Sequence, residues 1–261
     1  MPNNNLLKSN LNVLITRPEN EGRRLATKLN ILGINTQCQP MFDYRVNDNL
    51  TKNGPENLAQ RLNQVNQPIV IFISVAAVTS ANGVIDIASW QASKVFAVGT
   101  ATAKALKALH IDVISPKLQT SEGLLALPEL QSIEGQDILI VRGDGGREYL
   151  ADSLKEKNGI VYYIEAYQRI WRQLPSNIQQ NWRSHQINCM VITSDAILQS
   201  IVQLINLSDE YWQTDCYWLV ASERIAQNAK ALGLKRVINS NGASDNAITN
   251  VITSDVTINM E

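Results

Sequence analysis

The sequence predicts an α/β protein with two similar doubly wound parallel sheets. Three observations carry this. Short β-branched runs alternate with longer segments that place apolar residues at i, i+3, i+4 and i+7, the pattern of parallel βα units. The units are repeated: VLITRPENEGRRLATKL at 13 to 29 superposes on ILIVRGDGGREYLADSL at 138 to 154, matching Arg17 with Arg142, Leu25 with Leu150, Ala26 with Ala151 and Leu29 with Leu154. IFISVAAV at 71 to 78 matches VITSDAIL at 191 to 198, Ser74 on Ser194; KALHI at 107 to 111 matches KALGL at 230 to 234; QTSEGLL at 119 to 125 matches GASDNAI at 242 to 248. The offsets of 125, 120 and 123 differ only by loop insertions. Finally, 261 residues suit two cores better than one, since domains run to roughly 100–150 residues.

In the first copy, strands are expected at about 11 to 16, 34 to 38, 69 to 74, 94 to 98 and 112 to 115. In the second they are expected at about 137 to 141, 160 to 164, 188 to 193, 216 to 220 and 236 to 239. Helices fill the gaps: 19 to 32, 76 to 88, 101 to 110, 121 to 130, 145 to 158, 195 to 206, 222 to 232 and 244 to 259. Two flavodoxin-like sheets follow. The stretches 39 to 54 and 165 to 174 fit the repeat least, and each carries a Tyr-Arg combination, Tyr44 with Arg45 and Tyr167 with Arg169. A short helix opened by proline follows each, PENLAQRLNQV and PSNIQQNWRS, proline being well placed in a first helical turn. These stretches read as crossings between domains.

Bulk properties exclude several classes. With 44% hydrophobic and 18% charged residues and a net charge of −1, the chain has no electrostatic signature of a nucleic-acid or membrane binder. PIVIFISVAAV at 68 to 78, the longest nearly apolar run, is far short of the ~20 residues that span a bilayer. MPNNNLLKSNLNVLIT reads as a first strand rather than a secretory signal, so a cytoplasmic protein is expected. Cys38, Cys189 and Cys216 are far apart in strand-like segments and read as free thiols. His110 and His185 lack metal-ligand spacing.

In open parallel sheets, ligands bind beyond the carboxyl ends of the strands, where helices present their N-termini. Those ends hold Arg17 and Pro18; Ser74; Gly99, Thr100 and Thr102; Thr120 and Ser121; Arg142 to Arg147; Thr193 and Ser194; Ser222; Ala243 and Ser244. Each hydroxyl can simply cap a helix. Together they would line a cleft with many weak donors and few charges, which suits a large ligand carrying many carboxylates. RGDGGR lacks the lysine of a phosphate loop and the full GxGxxG of a dinucleotide site. Gly143, Gly145 and Gly146 allow a tight turn, and Arg142 and Arg147 could pair with carboxylates bidentately. The alternative is that Asp144 or Glu148 satisfies one arginine and the loop is only a turn.

LITRP at 14 to 18, VGTATAKAL at 98 to 106, EGQDILIVRGDGGREYLADSL at 134 to 154, EAYQR at 165 to 169, TS at 193 to 194, ASERIAQNAKALGL at 221 to 234 and GASDNAI at 242 to 248 together resemble the uroporphyrinogen-III synthase family, in order and over nearly the whole chain. The repeat alone suggests a cut near residue 133. The resemblance implies instead one domain of 1 to 38 with 173 to 261 and another of 42 to 166, joined by a two-segment extended hinge at 39 to 41 and 167 to 172. It implies a cyclising lyase that closes hydroxymethylbilane, a linear octacarboxylate tetrapyrrole, with loss of water and inversion of the last ring. No cofactor or metal is implied. Tyr167 in EAYQR matches the family's proposed proton donor, its alternative being a tyrosine that merely packs. Substrate-binding roles fall to Arg17, Ser74, Gly99, Thr100, Thr102, Arg142, Gly143, Gly145, Gly146, Arg147, Ser194 and Ser222. Where the family often shows Thr-Ser and a nearby Asn, this chain has Ile73, Ser74, Val75 and Ala76. A monomer is expected, with hand-over of substrate from the upstream bilane-forming enzyme and no nucleic-acid or membrane partner. The rival reading is a noncatalytic, two-lobed cytosolic small-molecule binding protein.

Overall fold

A computed structural model describes residues 11–51, 53–54, 57–145 and 148–254. The chain divides into two compact units: unit 1 runs to Asp43 and resumes at Trp171, and unit 2 is Tyr44–Ile170. It opens with β1 (Asn12–Ile15), α1 (Glu19–Ile31), β2 (Asn35–Cys38) and β3 (Phe42–Val46), the last passing from unit 1 into unit 2. Unit 2 continues with α2 (Leu58–Leu62), β4 (Ile69–Phe72), α3 (Val75–Val84), β5 (Lys94–Ala97), α4 (Thr100–Lys107), α5 (Ser121–Leu125), β6 (Asp137–Gly143), α6 (Tyr149–Glu156) and β7 (Ile160–Trp171). Unit 1 is completed by α7 (Ile178–Ser184), β8 (Cys189–Ile192), α8 (Asp195–Val202), β9 (Tyr217–Val220), α9 (Glu223–Ala231), β10 (Val237–Asn239) and α10 (Asp245–Thr253).

The unit 1 sheet has the order β10-β9-β8-β1-β2, and every neighbouring pair is parallel. The unit 2 sheet has the order β3-β7-β6-β4-β5, with β7, β6, β4 and β5 parallel. β1, which Arg17 follows by two residues, and β6, whose next-to-last residue is Arg142, are therefore each flanked by strands on both sides. Parallel strands bury both faces, and the side-chain alternation shows it. On β4, Val70 and Phe72 enter one core while Ile69 and Ile71 enter the other. On β1, Leu14 faces one core and Val13 and Ile15 the opposite one. Unit 1 fills its first core with Trp182, Trp212 and Trp218, all fully buried. The indole N–H of Trp218 donates to the Trp212 carbonyl at 2.8 Å, so one of the three polar edges is satisfied inside the core.

The cut near 133 is not found, because β1 pairs with β2 and with β8 and carries the N-terminal segment into the unit of the C-terminal half. The boundaries at 38/42 and 166/173 also shift: the units part at 43/44 and 170/171, inside strands rather than in irregular linkers. The reason is backbone pairing. Asn47 N donates to the Ala166 carbonyl at 3.0 Å, and its side-chain amide donates to the Glu165 carbonyl at 2.8 Å. In unit 1, Arg172 N donates to the Met41 carbonyl at 2.9 Å, while the Arg172 guanidinium grips both oxygens of Asp43 at 2.8 and 2.6 Å.

Other differences have local causes. The strand expected at 112 to 115 is one bridge between Phe96 and Ile114, since Pro116 cannot donate to a ladder. The helix at 76 to 88 stops at Val84, and Asp86 caps a separate short turn, Ile87–Ser89. The helix at 121 to 130 stops at Leu125, with Pro128 opening a second turn. The helix at 145 to 158 starts only at Tyr149, because Gly145 has φ +66°, a left-handed conformation that a helix cannot contain. The helix at 244 to 259 ends at Thr253, and 255 to 259 lie outside the described residues. Among the described residues, no helix is long and apolar enough to cross a membrane.

Candidate functional site

The carboxyl edge of the unit 1 sheet is built from serine caps and one arginine. Ser194, Ser222 and Ser244 each follow a strand, adopt extended backbone and accept from the amide three residues on: Ile197 at 3.3 Å, Ile225 at 3.5 Å and Ala247 at 3.1 Å. Each thereby satisfies one of the first amides of its helix and leaves others to face outward. Arg17, at the end of β1, is 9% exposed and holds Asp245 at 2.6 Å. Asp245 also receives Arg24 and sits in the first turn of α10, where a negative charge meets the positive helix end. Burial pushes the Asp245 carboxyl up, but hydrogen bonds from Arg24 and Arg17 outweigh it and hold the group below its ordinary value.

The unit 2 edge combines three kinds of group. Ser74 caps α3 by accepting from Ala77 N at 3.1 Å, and Thr120 caps α5 by accepting from Gly123 N at 3.1 Å. Gly99 precedes α4 with no side-chain cap; the side-chain oxygen of Gln119 takes that place, accepting from both the amide and the hydroxyl of Thr100 at 3.1 Å. Thr102 is buried within α4. Gly145 makes the left-handed turn, its amide 3.5 Å from a Glu165 oxygen. Gly146 and Arg147 lie outside the described residues.

Arg142, at the end of β6, is buried and is held by Glu148 at 2.9 Å and Glu165 at 3.2 Å, with its guanidinium carbon 3.6 Å from the centre of the Tyr163 ring. The Tyr163 hydroxyl donates to Glu148. Burial and that bond push the Tyr163 phenol up to about 12, while the same bond and Arg142 draw the Glu148 carboxyl down. The carboxylates of Glu148 and Glu165 hold the Arg142 guanidinium that was expected to pair with an incoming carboxylate, as the alternative reading had it for Glu148, and Asp245 holds Arg17. A further carboxylate would have to displace one of them.

Tyr167 is buried in β7 and packs edge-on to Tyr44 with ring centres 4.8 Å apart. Its hydroxyl lies 3.3 Å from the hydroxyl oxygen of Ser74. It is brought to this edge by an irregularity in the ladder: Arg142 pairs with Glu165 but Gly143 pairs with Tyr167, so Ala166 is skipped. The skipped residue re-aims the side chain, as bulges do.

Unit 2 therefore brings Ser74, Arg142, Gly143 and Tyr167 onto one edge, and unit 1 brings Arg17, Ser194 and Ser222 onto the other. Sequence reasoning missed Asp245, Glu165, Tyr163 and Gln119. Asp245 carried a signal, an acid directly after a helix cap; the others depend on cross-strand or cross-loop neighbours that spacing does not reveal. Among the described residues, no group of three or more His, Cys, Asp or Glu side chains could hold a metal ion.

A family model described as uroporphyrinogen-III synthase HemD matches residues 23–250. The chain is 32% identical to the uroporphyrinogen-III synthase of Salmonella typhimurium and 31% identical to that of Escherichia coli, each over 246 residues that cover 91% of this chain and 98% of the relative. In three dimensions it is similar to a mutant uroporphyrinogen III synthase from Thermus thermophilus, with a TM-score of 0.60 and 14% identity over 92% of this chain and 96% of that one. A Helicobacter pylori uroporphyrinogen-III synthetase gives a TM-score of 0.60 and 12% identity over 92% and 97%. At such identities the structural likeness speaks for the α/β fold with parallel sheets.

Proposed function

Because the chain belongs to the uroporphyrinogen-III synthase family, the cyclising lyases of porphyrin biosynthesis, we propose that it dehydrates and closes hydroxymethylbilane with inversion of the last ring. The observation that carries the reading is the make-up of the two sheet edges: hydroxyls, helix-end amides and already neutralised arginines, with one buried phenol among them. Such edges suit a polycarboxylate held by many weak donors. Ser194 and Ser222 on unit 1, and Gly99, Thr100 and Thr102 on unit 2, are the proposed binding positions, with Gly145 shaping the loop. The strand order of unit 1, two-one-three-four-five in its own numbering, supports a flavodoxin-like reading of the domain. We also place the chain in the cytoplasm as a monomer that receives its bilane from the preceding enzyme and uses no cofactor.

Tyr167 is the proposed proton donor. Protonating the departing hydroxyl lets water leave, and the electron pair of the neighbouring pyrrole nitrogen makes the azafulvene. The substituted carbon of the last ring attacks, the spiro product fragments and recloses, and the phenolate recovers the proton released when the final pyrrole becomes aromatic again. Enzymatic work lies mostly in orientation, because unguided closure gives the uninverted isomer. The test supplies freshly made hydroxymethylbilane and separates the oxidised products. Inverted isomer is expected; uninverted isomer alone, at the rate without protein, would sink the proposal.

A further inference from the structure

Gly143 is the first glycine of RGDGGR, a loop whose composition suggests an anion cradle, and the structure points to a different use. A methyl group on Gly143 would stand 2.5 Å from Cε2 and Cζ of Tyr167 and 2.9 Å from its hydroxyl oxygen. No real side chain tolerates such distances, so the absence of a Cβ makes the seat on which the Tyr167 ring lies. The skipped residue at Ala166 delivers the ring to that seat, and the amide of Asp144 fixes it by donating to the Tyr167 carbonyl at 2.8 Å. Tyr44 closes the ring edge-on at 4.8 Å. With the ring confined, what remains is the direction of the phenol O–H, and the hydroxyl of Ser74 stands 3.3 Å away. Ser74 is itself held, because its oxygen accepts from Ala77 N at the start of α3.

We propose that Gly143 and Ser74 are positioning residues for Tyr167, Gly143 setting where the phenol sits and Ser74 setting where its O–H points. This rests on Tyr167 as the proton donor. Neither residue needs to touch substrate in this role; both act on the rate of the step that Tyr167 serves. A ring displaced by about 1 Å is enough to cost a large factor in rate.

The test compares kcat and KM of Gly143→Ala and Ser74→Gly, alone and in a Tyr167→Phe background. Glycine opens a helix nearly as well as serine, so Ser74→Gly removes the hydroxyl while sparing α3, and it keeps the test alive should Gly143→Ala fail to fold. Each single variant is expected to lose about tenfold or more in kcat with KM within about twofold. Neither is expected to lose anything further once Tyr167 is Phe, and Ser74→Thr is expected to recover most of the rate. A further kcat loss in the Tyr167→Phe background, or a raised KM with kcat retained, overturns the positioning role. If Tyr167→Phe alone turns over normally, the proton-donor reading falls and takes this one with it. If Tyr167→Phe is slow while Ser74→Gly is not, only the positioning proposal falls.

Discussion

The carboxyl edges of the two sheets descend from the same repeat, and each places an arginine at the end of a strand flanked on both sides. They neutralise it differently. Unit 1 gives one carboxylate, Asp245, to two arginines, Arg17 and Arg24. Unit 2 gives two carboxylates, Glu148 and Glu165, and a tyrosine ring to the single Arg142. Asp245 lies 228 residues from Arg17, so the pair ties the last helix to the first strand, whereas Glu148 and Glu165 are 6 and 23 residues from Arg142 and tie only the loop and its neighbouring strand. The repeated arginine is thus a structural pin in both units. What distinguishes unit 2 is the residue beside the pin, a glycine that seats a tyrosine.

The largest effect should come from breaking the pin of unit 1, where one carboxylate serves two arginines. Asp245→Ala leaves Arg17, almost wholly buried, without its carboxylate, and should cost about 3 kcal/mol of stability. Glu165→Ala should cost visibly less, because Glu148 still faces Arg142. Urea unfolding curves of both variants check this, and equal losses would show that the two edges are pinned alike.

The second effect is the left-handed turn after β6, where the matched turn after β1 has Pro18 at φ −49° and passes directly into α1 at Glu19. Gly145, at φ +66°, should lose about 1 kcal/mol on substitution by alanine. Gly99→Ala should be nearly neutral, since its backbone is extended and an added methyl meets only the Gln119 side chain at 3.4 Å. Thermal midpoints of the two variants separate these expectations.

The smallest effect is pH dependence. Asp245 is held below its ordinary value in the fold, so its contribution is complete above the unfolded value of about 3.9 and is lost as pH falls through the lower folded one. Asp245→Asn should therefore flatten the fall of the urea midpoint below about pH 4. A variant as acid-sensitive as the parent would mean that other carboxylates govern acid unfolding.

Much of the fold was legible because parallel strands buried on both faces write themselves as short, unbroken apolar runs, as in Ile69–Phe72 and Cys189–Ile192. β3 and the far half of β7 were not, because their side chains are mixed and partly exposed, and such strands carry no clean alternation. The turn Tyr211–Asp215 also escaped, being too short for any period to show. At the edges, serine caps were readable from local spacing. The Ser74–Tyr167 contact joins residues 93 apart through two neighbouring strand ends, and the skipped Ala166 that makes it possible has no local mark. Tyr167 was visible as part of a Tyr-Arg combination in an irregular stretch, but its role as a proton donor came only from the resemblance of EAYQR.

The central claim is that the chemistry resides beside the unit 2 pin, on the Tyr167 phenol, and the most direct measurement is single-turnover closure of hydroxymethylbilane by Tyr167→Phe alongside its affinity for uroporphyrinogen III. The account predicts a rate lower by about 100-fold with product affinity changed less than the rate. An unchanged rate would contradict it and leave Tyr167 as a packing residue.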